Sequence, residues 1–196
     1  MSKITLAPDA TGNAIFTVAA PATATDRTLT LPDATGTLGL MQLGTPVGAG
    51  SGTAIDFLNI PSWVNRVSVV LAGVSLSGTA NLLIQLGTSS GVEITGYESS
   101  SALAGAAVDA GAATSTAGII IRAGANTAKV SGIIQFIRGN GTLWMAGGGY
   151  ARIDAALSGA AGGSKLLGGT LDRIRLTSTT GTDTFDSGIV NIFWEG

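Results

Sequence analysis

From Ile55 onward apolar side chains recur at every second position rather than every third or fourth. Trp63, Val67, Val69 and Leu71 fall on one side of an extended segment with Arg66 and Ser68 on the other, which predicts a half-buried strand. Leu82, Ile84 and Leu86 predict a second, and Val92-Glu93-Ile94-Thr95 alternates again. Ile119-Ile120-Ile121, Val130 to Ile137, Thr142 to Met145 and Tyr150 to Ile153 continue the series, and Leu171 to Thr177 and Ile189 to Trp194 close it. Arg138-Gly139-Asn140-Gly141 carries the Asn-Gly signal of a tight hairpin. Gly147-Gly148-Gly149 lets the chain bend or lets a neighbouring backbone come close. Between Ser99 and Ala117 only Leu103 and Val108 have any bulk, so a surface loop is expected there, with a short helix as the alternative. Leu157 to Gly169 is likewise expected as a small-residue loop. Roughly eight short strands and no helical stretch predict an all-β domain over residues 55–196, an antiparallel sandwich or jelly roll.

The first 42 residues follow another pattern. Pro-Asp-Ala-Thr-Gly occurs at Pro8–Gly12 and again at Pro32–Gly36, beside the β-leaning runs Ile15-Phe16-Thr17-Val18 and Thr28-Leu29-Thr30-Leu31. Each copy supplies a rigid-turn residue, an Asp able to close an Asx turn and a Gly tolerant of positive φ, which spells strand, turn, strand. Residues 1–42 hold too few large apolar side chains for a core of their own, so they are expected to interlace with identical copies. Ile15, Phe16, Val18, Leu29, Leu31, Pro32 and Leu38 are the residues expected to mediate that trimerisation and anchoring. Gly39, Gly44, Gly48, Gly50 and Gly52 with Pro46 make residues 43–54 a Gly-rich connector.

Composition narrows the function more by subtraction than by addition. Only 11% of residues are charged and the net charge is −2, with ten basic residues scattered singly, so no stripe exists to neutralise phosphates and nucleic-acid binding is not expected. No run approaches the roughly 20 apolar residues of a membrane helix, and the start lacks a signal-peptide pattern, so synthesis in the cytoplasm and no membrane partner are expected. A positive mean hydropathy without such a span implies apolar surface hidden by sheet packing or subunit contact.

Histidine and cysteine are both absent, which removes the usual parts of zinc and Ser-His chemistry. No catalytic residue, no metal site and no cofactor is therefore expected. Glu93 and Glu98 leave a paired-carboxylate glycosidase formally open, but the expected role of both is as solvated turn or edge residues. Gly162-Gly163-Ser164-Lys165 reverses the order of a phosphate loop and is expected to be an ordinary loop. Asp183 and Asp186 fail the calcium-loop spacing and are expected in an Asx turn. Trp63, Trp144, Trp194, Tyr97 and Tyr150 could stack on sugars; Trp63 and Trp194 sit in apolar patterns and are expected to pack, leaving Tyr97 and Tyr150 as the candidate surface-contact residues.

The doubled motif, and especially Thr28-Leu29-Thr30-Leu31-Pro32-Asp33-Ala34-Thr35-Gly36-Thr37-Leu38-Gly39-Leu40, resembles the N-terminal repeat of tailed-bacteriophage virion proteins of the fibre, fibre-like and head-decoration kinds. Leu171 to Thr177, Phe185 to Ile192 and Gly87 to Tyr97 are similar to segments of the β-domain in the same proteins. The resemblance implies a homotrimer whose N-terminal segments interlace and whose β-domains project outward, with other virion proteins such as the major capsid protein or a tail adaptor as partners. The implied location is the virion. The chain lacks a long repetitive shaft, which favours a capsid-surface decoration, cement or head-fibre protein. The alternative is a receptor-binding tail-fibre module that contacts host-surface glycan or protein.

Overall fold

The computed structural model describes residues 40–105 and 108–196, with side chains of all these except 108–110. The described residues of 40–196 belong to one compact unit. The trimerisation residues Ile15, Phe16, Val18, Leu29, Leu31, Pro32 and Leu38 lie outside the described residues.

Fourteen strands and no helix occur among the described residues: β1 Met41–Leu43, β2 Val47–Gly48, β3 Ala54–Phe57, β4 Arg66–Leu76, β5 Leu82–Thr88, β6 Gly91–Val92, β7 Tyr97–Gly105, β8 Val108–Ser115, β9 Ile119–Ile121, β10 Val130–Arg138, β11 Leu143–Arg152, β12 Leu157–Leu166, β13 Arg173–Ser178 and β14 Phe185–Glu195. The large sheet runs β1-β14-β4-β10-β11-β12-β7-β8, with β2 also on β14. The small sheet runs β3-β13-β5-β6, with β9 also on β5. Every pairing is antiparallel. The chain passes from one sheet to the other at β2–β3, β3–β4, β4–β5, β6–β7, β8–β9, β9–β10, β12–β13 and β13–β14.

Alternation fills the space between the sheets. Ile55, Phe57, Leu82, Ile84, Leu86, Ile119, Ile121, Ile174 and Leu176 of the small sheet are buried, as are Val67, Val69, Leu71, Ile134, Phe136, Val190 and Ile192 of the large one. Period two puts these side chains on one face of each sheet, and their burial supplies the main driving force for folding. The Arg138–Gly141 hairpin forms as its sequence predicts: Gly139 N–H bonds the Leu143 carbonyl, and Gly141 sits at φ +62°, where a Cβ would be strained. Thr142–Met145 and Tyr150–Ile153 belong to one strand, β11, which runs straight through the three glycines. A Cβ at Gly148 would strike the Ile133 carbonyl, so its bare Cα is what admits β10 so close.

Four expectations are corrected. Ser99–Ala117 is not a loop; it supplies most of β7 and all of β8, and the residues of β7 alternate buried and exposed although nearly all are small. Leu157–Gly169 is mostly strand β12, and Gly162 to Lys165 lies inside it. Residues 43–54 are not a free connector: β2 pairs with β14, Gly44 N–H bonds the Ile192 carbonyl, and Ala49 is fully buried with its N–H on the Gly188 carbonyl. Trp63 precedes β4 in a turn and is 40% exposed, so it extends no strand face. Trp194 does pack against the core, but its indole N–H finds no hydrogen-bond partner among the described residues.

Candidate functional site

The two tyrosines expected at the surface are inside. Tyr97 is 1% exposed and Tyr150 5%, because odd-numbered positions of β7 and even-numbered positions of β11 share the inward face set by the registers of β11, β12 and β7. Neither ring is open to an outside ligand.

What they do is hydrogen-bond across a seam. β9 is only three residues long and pairs with β5 on one side, which leaves its other edge to be satisfied from elsewhere. Ile120 N–H donates to Ser99 Oγ at 2.8 Å, and Arg122 N–H lies 3.1 Å from both Ser101 Oγ and Tyr150 Oη. Ser101 Oγ and Tyr150 Oη are themselves 2.6 Å apart. Further along, where β9 has ended, Tyr97 Oη accepts from Leu86 N–H at 2.6 Å and donates to the Glu93 carbonyl at 2.9 Å. Inward hydroxyls of the large sheet thus cap the edge of the small one. Burial pushes the Tyr97 phenol up, the Leu86 N–H pulls it back in part, and the nearby Glu93 carboxylate raises it further, so it stays protonated.

Beside this seam lies the most concentrated charge of the interior. Lys165 points inward between the register partners Trp144 and Tyr97 and is 6% exposed. Its Nζ is 2.6 Å from Glu93 Oε2, donates to the Thr95 carbonyl at 2.9 Å and stands 5.2 Å from the Tyr97 ring centroid. Glu93 Oε1 accepts Gly168 N–H at 2.8 Å. Burial alone would raise the Glu93 carboxyl, but the Lys165 hydrogen bond, the Gly168 N–H and the Lys165 charge together hold it below its ordinary value. Glu93 is thus a partly exposed ion-pair partner of Lys165 and is not paired with Glu98, which lies on the opposite, exposed face of β7 from Tyr97.

A carboxyl whose pKa is lower in the folded chain stabilises the fold above its ordinary value of 4.5 and loses that contribution as pH falls through the lowered value. Asp154, held down by the Arg152 hydrogen bond, acts with the same sign. Glu93→Gln should therefore lower the melting temperature at neutral pH and flatten its decline on acidification, read by scanning calorimetry between about pH 7 and pH 3. A decline as steep as that of the unaltered chain would show that the pair contributes nothing.

Asp183 closes a turn with Thr180 and accepts Ala80 N–H at 3.0 Å; no cluster of three metal-ligating side chains occurs among the described residues. An open cleft of about 400 Å³ at one end is lined by Thr88, Ser89, Ser90, Thr170 and Asp172, with no aromatic ring.

The outward face of the large sheet departs most from a solvated surface. Its registers align Leu43, Phe193, Ser68 and Gln135 in one row and Glu195, Arg66, Ile137 and Met145 in the next. Ile133 is 44% exposed, Ile137 48%, Met145 49% and Leu43 68%. Beyond β10 the first row continues through Gly147, Gly162 and Ser100, the second through Ser164 and Glu98, and the row of Ile133 through Gly149, Ala160, Ala102 and Ala112, so most side chains there are small. A solvated outer face of an antiparallel sheet normally carries polar side chains. The signal was present in the sequence: Ile133-Ile134-Gln135-Phe136-Ile137 and Ile189-Val190-Asn191-Ile192-Phe193-Trp194 are apolar on both parities, as strands covered on both faces are.

Compared with protein-family models, with curated proteins and with solved structures, the chain matches none.

Proposed function

We propose that the protein is a non-enzymatic structural protein of a tailed-bacteriophage virion, a homotrimer that decorates the capsid surface and is anchored through residues 1–42. The observation that carries this reading is the doubled Pro-Asp-Ala-Thr-Gly at Pro8 and Pro32, with the strand-forming runs beside it. The strand orders support it. β2-β14-β4-β10 with β3-β13-β5-β9 follows the strand order expected of a jelly roll, a fold used by viral capsid domains, with β7, β8, β11 and β12 widening one sheet and β6 added to the other. The burial of Tyr97 and Tyr150 removes the two rings expected to contact a glycan and leaves Trp63, 40% exposed, as the exposed ring of that set, which favours decoration over a glycan-binding tail module.

A trimer suits local threefold positions of an icosahedral shell, where a heterologous contact closes after three subunits. A protein that binds only the assembled shell stabilises it by linkage. Particles lacking the protein should lose heat or osmotic resistance while still adsorbing to cells. Particles that keep full shell stability but no longer adsorb would assign the chain to the tail.

A further inference from the structure

We infer that the outward face of the large sheet is a contact between copies of this chain, with the aliphatic half of one copy seated on the glycine and alanine half of its neighbour. The inference goes beyond the proposed function, which places association in residues 1–42, and it rests only on the described domain.

Three observations choose a second copy as the occupant. The first is area: seven inter-strand steps of about 4.8 Å by about 20 Å along the strands give a face on the order of 700 Å², close to the roughly 800 Å² per partner of a standard interface. The second is charge. Arg66 is neutralised by Glu195 at 2.7 Å, and Glu98 is the other charged residue in the aligned rows, so the face offers little to a strongly charged partner and suits one as uncharged as itself. The third is shape: Leu43, Ile133, Ile137 and Met145 stand out on one half, while Gly147, Gly149, Gly162, Ala160, Ala102 and Ala112 keep the centre of the other half low, with Ser164, Glu98 and Leu166 at its margin. Each half of the face supplies the relief that the other lacks, so the two copies need no third component. Exposed apolar area on this scale marks an association site.

The absence of native cysteine makes a direct test available in the full-length chain. Ile137→Cys and Ala102→Cys in one chain are three inter-strand steps and four residues along the strand apart, too far to bridge to each other. Under mild oxidation this double variant should run as a covalent dimer on a non-reducing gel, and neither single variant should cross-link, because each cysteine would face the unaltered residue of the other copy. In parallel, Ile137→Lys with Met145→Lys should weaken self-association at least about tenfold by light scattering; both sites are half-exposed in the single copy, so folding tolerates them. The proposal is overturned by cross-linking no greater than that of a Thr182→Cys control in an exposed turn, or by a full-length chain that is monomeric at micromolar concentration. Should the covalent dimer form while purified virions lack the chain, the face stands and the virion reading falls; an assembly that gives no cross-link does the reverse.

Discussion

A chain carrying Tyr97→Phe, Ser99→Ala and Ser101→Ala together should unfold at a markedly lower temperature than its parent. Each change removes a hydroxyl that serves a buried backbone N–H: Leu86 for Tyr97, Ile120 for Ser99 and Arg122 for Ser101. Leaving a buried donor unserved costs about 1–3 kcal/mol. The three act on one seam, so their effects should not add, and Tyr150 Oη partly covers the loss at Arg122. A combined loss of roughly 3–6 kcal/mol corresponds to about 6–20 °C in a domain of this size. Calorimetry decides it, with hydrogen exchange at Ile120 as the local readout. A melting temperature within about 2 °C of the parent would mean that water or rearrangement serves the seam equally well.

Phe136→Ala should be the most damaging single substitution. The ring is 1% exposed and its register neighbours on the inward face are Val67 and Ala146, one of them too small to fill the space left behind. Truncating a buried Phe costs about 3–5 kcal/mol, the upper end where the site cannot collapse. Denaturant unfolding of Phe136→Ala beside Ile137→Ala separates packing from position, since Ile137 is on the outward face and 48% exposed. The neighbouring change should cost much less in a monomer. Equal losses would contradict the inward and outward assignment of β10.

The same contrast explains what could be read from the chain. Strands whose inward residues are large, such as β5 with Leu82, Ile84 and Leu86 or β4 with Val67, Val69 and Leu71, are legible because burial and bulk coincide. In β7 they do not. Its inward positions Ser99 and Ser101 are chosen for hydrogen bonds to β9, and in β12 the inward positions include Gly159 and Gly163, where a Cβ would collide with the backbone of β7. Periodicity in hydropathy vanishes there although periodicity in burial persists. Tyr97 and Tyr150 were misplaced for the same reason: an aromatic in a run of small polar residues reads as a surface group, and only the pairing of β7 with β12 reveals the side it occupies. The Glu93–Lys165 pair joins residues 72 positions apart and depends on that pairing as well.

The domain's role turns on where and in what number it sits on a particle. Quantitative mass spectrometry of purified virions, with the chain counted against the major capsid protein, measures this directly. Decoration of local threefold positions predicts on the order of a hundred or more copies per particle in a fixed ratio to the shell subunit. A count of about a dozen or fewer, or no copies at all, would contradict it.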